Sequence, residues 1–167
     1  MTPALYRLFA GMINYFSGDP KRIQHFTKVH AYTQLIGFGE GISEEDMFIL
    51  ESAAMVHDIG IKPAERLYGY NNGKLQEELG PPEARGFLER LGYEFDKIDR
   101  ICYLVSKHHS YHDITDKLLQ ILIEADFLVN LYEDEASPEA ISSAYRKVFK
   151  TAAGKALFTD MYGEQTE

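Results

Sequence analysis

AAMVHDIGIK, residues 53–62, sets a histidine and an aspartate side by side where an apolar run ends. Burying an unpaired charged side chain costs several kcal/mol, so a helix that delivers two such groups inward needs something there to receive them. Upstream, Ser43 followed by Glu44, Glu45 and Asp46 reads as the capped, acid-rich first turn of a helix that runs to about Asp58, with Gly60 closing it. At about 100° per residue, His57 falls on the stripe of Leu50 and Ala53, and Asp58 adjoins it at the helix end. Both side chains are therefore expected to face inward.

The same period governs the rest of the chain. Apolar residues recur at three- and four-residue spacing and alternating, β-branched runs are scarce, so the expected fold class is all-α, a compact helical bundle. The first helix covers about 3–16, and Asp19 with Pro20 caps and opens a second that ends near Gly37 to Gly41. Residues 60–80 carry a proline and an Asn-Asn-Gly turn and read as the longest irregular connection, with room for a short helix inside. Tyr68, Tyr70 and Lys74 in that segment either close over a ligand or form an ordinary surface loop. Pro81 and Pro82 suit the first positions of a helix ending at Gly92, and another helix covers about 96–108. DKLLQILIEADFLVNLYED then supplies a long buried one, and Ser137 with Pro138 opens the last main helix. No repeat, low-complexity tract or linker divides the 167 residues, so one domain is expected over 1–167 with its core at about 17–150.

Composition narrows the function classes. Lysine and arginine number 17 against 26 acids, and the net charge of −9 has the wrong sign for holding polymeric nucleic acid on a broad basic surface. An anionic substrate would need a local cation. The single cysteine, Cys102, excludes an internal disulfide, and no paired spacing suggests a zinc ribbon. The amphipathic N-terminal stretch is interrupted by Arg7 and Asn14 and lacks a signal-peptide pattern, while no apolar segment approaches the roughly 18 residues of a membrane span. A soluble cytoplasmic protein with no membrane partner is expected.

Two further polar residues sit on apolar stripes. Asp126 shares one with Leu119, Leu122 and Val129, and His25 shares one with Val29, Tyr32 and Ile36. His30 leans toward Ile23 and Phe26 and, like His112, reads as structural. His25, His57, Asp58 and Asp126 can converge where three helices pack, placing two imidazoles and two carboxylates around one ion. Nitrogen and oxygen donors without thiolate suit a divalent metal such as Mn, Fe, Co, Ni, Zn or Mg. Plainer readings stand beside this one: His57 and Asp58 as a helix-terminal pair, Asp126 in a buried salt bridge, and His25 as a packed core histidine.

The ordered set His25 in RIQHFTKVH, His57 and Asp58 in AAMVHDIG, and Asp126 in LIEADFLVN resembles the HD-domain metal-dependent phosphohydrolases over about residues 17–150. The resemblance implies a helical bundle of the HD-domain type, with a divalent metal held by these four side chains. It also implies hydrolysis of a phosphate ester, a phosphomonoester or a nucleotide, by metal-activated water, with Asp58 and His57 as catalytic residues. His108 and His109 in VSKHHSYHD match a histidine pair of such members and are expected to contact substrate, against the plainer reading of solvated histidines at a helix end. Gln76 stands where those members have a histidine, with Glu77 beside it as an alternative oxygen ligand, which favours one firmly held metal. Lys62, four residues after Asp58, either reaches a phosphate or is an exposed lysine, and Arg22 and Lys28, each a turn from His25, either extend the anion site or line a solvated edge. The expected partner is a small phosphorylated substrate, and a homodimer is allowed. The alternative in another class is a metal- or nucleotide-binding regulatory module without turnover.

Overall fold

The computed structural model describes residues 1–165, and among them nine helices and no strand are found. They are α1 (Pro3–Tyr15), α2 (Pro20–Gly39), α3 (Glu44–Val56), α4 (Ile61–Tyr68), α5 (Gly73–Arg90), α6 (Phe95–Val105), α7 (Lys117–Glu133), α8 (Pro138–Val148) and α9 (Ala152–Tyr162). Most begin where a short polar side chain takes over an orphan backbone N–H. The Asp19 carboxylate accepts from Arg22 N at 3.1 Å at the start of α2, and Ser43 Oγ accepts from Asp46 N at 3.1 Å at the start of α3. Asp116 caps α7 by accepting from Leu118 N and Leu119 N at 3.0 and 3.2 Å.

The bundle is organised around α2, α3 and α7, which pack on one another, with α1 and α6 against α3 and α5 against α6. Helix α3 is buried at every residue from Ile49 to Val56, and α7 at nearly every residue from Leu118 to Leu131. These two helices are enclosed on all sides, so their stripes matter less than which neighbour each face meets. The apolar core reaches beyond residues 17–150 on both sides, taking in Leu5, Leu8 and Met12 from α1 and Phe158 from α9.

Two elements differ from the sequence expectation. Residues 60–80 are mostly helical, with α4 and the first turns of α5 separated only by residues 69–72. Asn72 Oδ1 accepts from Leu75 N at 2.9 Å and starts α5 ahead of Pro81 and Pro82, which lie inside the helix. Two prolines remove two intrahelical donors, and packing of α5 against α4 and α6 offsets that loss. Gly60 makes the first of these contacts possible: a Cβ there would lie 2.8 Å from Gly80 N and 2.9 Å from Gln76 O. Helix α9 was not expected as a separate element. It starts on Glu124 of α7, whose buried carboxylate accepts from Lys150 N at 2.6 Å and Thr151 N at 2.9 Å.

Candidate metal centre

The chain turns sharply after α3. His57 keeps helical angles, Ile59 N bonds Val56 O at 3.0 Å, and Ile61 N bonds Asp58 O at 3.0 Å as α4 begins. This turn holds His57 and Asp58 against the second turn of α2, which supplies His25, and the middle of α7, which supplies Asp126. The turn after α6 brings His108 to the same place.

The four expected ligands meet. His25 Nε2 lies 3.2 Å from His57 Nε2, 3.2 Å from Asp126 Oδ1 and 3.4 Å from Asp58 Oδ2. His57 Nε2 lies 3.5 Å from each of the same carboxylate oxygens. His108 Nε2 stands 3.7 Å from Asp58 Oδ1. Each of these three imidazoles has its other nitrogen occupied. His57 Nδ1–H donates to Ala54 O at 2.8 Å, His108 Nδ1–H donates to Val105 O at 2.7 Å, and His25 Nδ1–H donates to Glu133 Oε2 at 3.0 Å. The Nε2 lone pairs are thereby turned toward the cluster, the arrangement that orients metal-ligating histidines. Glu133 is in turn held by Lys28, whose Nζ lies 2.6 Å from Oε1.

The donor atoms fit a cation. Asp126 Oδ1 and His108 Nε2 are buried and have no hydrogen-bond partner among the described residues. Glu124, two residues before Asp126 on the same helix, is a useful contrast. Its carboxylate accepts from Gln120 Nε2, Lys150 N, Thr151 N and the Thr151 hydroxyl. One buried acid of α7 is satisfied by the chain, and the other keeps an oxygen free beside two imidazoles. Without an ion, burial opposes charge on His25, but the carboxylates of Asp126, Asp58 and Glu133 outweigh it and raise the imidazole to about 9. Burial likewise opposes charge on His57, and Asp58 and Asp126 again push it up. Burial alone would raise the carboxyls of Asp58 and Asp126, yet the facing imidazoles hold both well below the usual carboxylate range. The two carboxylates raise the proton affinity of the imidazoles they face, and one divalent cation would supply the balancing charge when the imidazoles are neutral. The donor atoms of His25, His57 and Asp58 lie close enough together to hold an ion, as do those of Asp58, His108 and His109, although both His109 nitrogens are engaged by Gln76 and Tyr111.

The remaining expected site residues divide. Arg22 lines a cleft of about 230 Å³ over the cluster together with Lys21, His25, Asp58, Ile61, Asn130, Glu133 and Asp134, while bonded to Asp19 and Glu65. Lys28 reaches the cluster only through Glu133. Gln76 is buried, and its Oε1 accepts from His109 Nε2 at 2.8 Å, so it braces His109 and does not face open space. Glu77 Oε1 accepts from His109 N at 3.1 Å and from the Ser110 hydroxyl at 2.9 Å, which makes it a brace of the histidine turn. His109 is kept neutral by burial and by neighbouring His108, which push it down to about 4. Lys62 is not brought to the cluster, contrary to its expected catalytic and phosphate-binding role. It lies on the first turn of α4, donates from Nζ to Tyr15 O and sits 4.9 Å over the Tyr15 ring, in a neighbouring cleft that meets the one over the cluster at Arg22. His30 is structural as expected, paired with Glu51 at 2.7 Å.

Three residues escaped the sequence reading. Asn130 and Glu133 follow Asp126 at four and seven residues and so continue its stripe toward the cleft, a signal that was present. Lys21 precedes His25 by one turn on the same face.

An all-α bundle whose central helices deliver His, His-Asp and Asp to one point defines a class of metal-centred helical proteins. The HD domain family matches residues 22–144, and the chain belongs to that family. A solved structure, described as a predicted HD superfamily hydrolase from an uncultured Thermotogales bacterium, shares the fold with a TM-score of 0.67. It is 24% identical, over 96% of this chain and 86% of that one. No curated protein matches. Among the described residues, no helix is long and apolar enough to cross a membrane.

Proposed function

We propose that the protein is a metal-dependent hydrolase of a phosphate ester, a phosphomonoester or nucleotide, with His25, His57, Asp58 and Asp126 holding the ion and His108 beside them. The observation that supports this reading best is the convergence of three imidazole Nε2 atoms on two carboxylates while every Nδ1 is engaged elsewhere. A divalent ion held by these residues would supply Lewis acidity toward the phosphoryl group and its attacking water. The chain's own residues do the rest. Lys21 and Arg22 line the cleft, Arg22 already paired with Asp19 and Glu65, and they are the cations there that orient the anionic ester. Asp58, whose side chain is 19% exposed, is the carboxylate of the cluster that both holds the ion and faces the cleft, where it accepts the proton of the attacking water.

The test is turnover of a phosphomonoester and nucleotide panel by protein loaded in turn with Mn, Fe, Co, Ni, Zn and Mg. Turnover is expected with at least one metal, is abolished by chelation, and falls by a factor of about 100 or more in Asp58→Ala. Equal rates with and without metal would contradict the mechanism. The regulatory reading, a metal- or nucleotide-binding module without turnover, draws on the Gln76–His109 bond, which ties one histidine of the pair to the chain. Nucleotide binding by metal-loaded protein with no product across the panel selects it.

A further inference from the structure

A second cleft adjoins the one over the cluster. It encloses about 320 Å³ between Tyr111, Phe127, Leu131 and Ala136, and it shares Asn130 and Asp134 with the cleft over the cluster. The two therefore form one groove with chemically different ends. Lys21, Arg22 and the cluster lie at one end, and two aromatic rings with aliphatic flooring lie at the other.

Tyr111 lines the apolar end and is held in place there. His109 Nε2–H donates to Gln76 Oε1 at 2.8 Å, so Nδ1 accepts from the Tyr111 hydroxyl at 2.9 Å. The Tyr111 ring meets Phe127 edge to face, with centroids 5.1 Å apart and planes at 81°. The chain Gln76, His109, Tyr111, Phe127 fixes a ring in a loop that would otherwise be free to move. It accounts for a buried glutamine and a neutral histidine that the proposed hydrolysis leaves without a task. Asp134 at the junction disfavours a second anionic group there, while Asn130 and Asp134 together can meet hydroxyl or amine donors.

Resting on the phosphate-ester reading above, we propose that this apolar end holds the uncharged organic part of the substrate, an aromatic or similarly flat group, and that Tyr111 is a specificity-determining residue. Esters carrying a further phosphate beyond the scissile one are disfavoured.

Calorimetric titration of Mn-loaded protein with phenylphosphonate and with methylphosphonate tests this without requiring turnover. The wild type is expected to bind the phenyl compound about tenfold more tightly, the scale of partial ring burial. Tyr111→Ala and, independently, Ala136→Phe, which fills the groove from its far end, should cut that ratio to about two or less. Tyr111→Phe should keep most of it, because the ring makes the contact. A wild-type ratio near one, or a tenfold ratio surviving in Ala136→Phe, overturns the subsite while leaving the hydrolase reading standing. Binding of neither phosphonate by protein that retains Mn overturns the phosphate-ester reading and the subsite with it.

Discussion

An imidazole has two nitrogens, and here the second nitrogen decides the role of each histidine. His25, His57 and His108 spend Nδ1–H on Glu133, Ala54 O and Val105 O, leaving Nε2 for an ion, whereas His109 has both nitrogens taken, by Gln76 and Tyr111. Glu133→Gln keeps a hydrogen-bond acceptor but removes the charge behind His25, and should weaken metal affinity by about 10- to 100-fold by metal titration. The pH dependence follows from the same geometry. In metal-free protein Asp126, Asp58 and Glu133 face His25, with His57 beside it, and raise it from the ordinary 6.5 to about 9 against the cost of burial. The stability this confers is fully present below pH 6.5 and is lost as pH rises toward 9. Denaturant unfolding of chelated protein should show that decline, and metal affinity should increase over the same interval because the imidazole must surrender its proton. A flat profile for both would show that His25 is not in the ion's shell. At this scale the sequence pointed to His25, His57 and Asp126 as polar residues on apolar stripes and to Asp58 as the neighbour of His57 at the helix end. It did not reveal Glu133 as the support of His25, because a glutamate near a helix end also reads as solvated surface.

Helices were legible where a recognised cap stood next to a periodic run, as at Asp19 and Ser43, whereas the caps at Asn72 and Thr151 were passed over. The segment from 60 to 80 was harder because prolines and glycines there serve packing and not only turns. Pro81 and Pro82 lie within α5, and Gly60 lets the α4 start approach the backbone of Gln76 and Gly80. Gly60→Ala would press a methyl group into backbone that has little room to give, and should destabilise the fold by about 1–3 kcal/mol in denaturant unfolding. Because Gly60 is two residues from Asp58, metal affinity should fall as well. Helix α9 was missed although Thr151 caps it locally, accepting from Gly154 N at 3.0 Å, because the contact that anchors its start is not local. Glu124 lies on α7, and its reach to Lys150 N and Thr151 N exists only in three dimensions. The same applies to Lys62: four residues after Asp58 it is near in sequence, yet the first turn of α4 aims it at Tyr15.

Across the whole molecule, an acidic chain of net charge −9 concentrates two carboxylates and three imidazoles at the junction of α2, α3 and α7, with the turn after α6. An ion there ties together helices distant in sequence, so its removal should be felt globally. At a metal concentration one hundred times the dissociation constant, binding adds about 2.7 kcal/mol of stability, or roughly 5–10 °C in Tm for a chain of this length. Thermal melts with and without chelator should show that difference. The all-α class was legible from the 3.6-residue period, and the meeting of the four side chains was expected from the resemblance of their order to the HD-domain pattern. The apolar extension of the cleft toward Tyr111 and Phe127 was not, because it joins a loop to the flank of α7. The most direct measurement is elemental analysis of the purified, dialysed protein beside its folded Asp126→Asn variant. At least one equivalent of a divalent metal in the wild type and loss of most of it in the variant is the expected outcome. Metal-free wild type that cannot be reloaded, or equal metal in both, would contradict a metal centre built on these side chains.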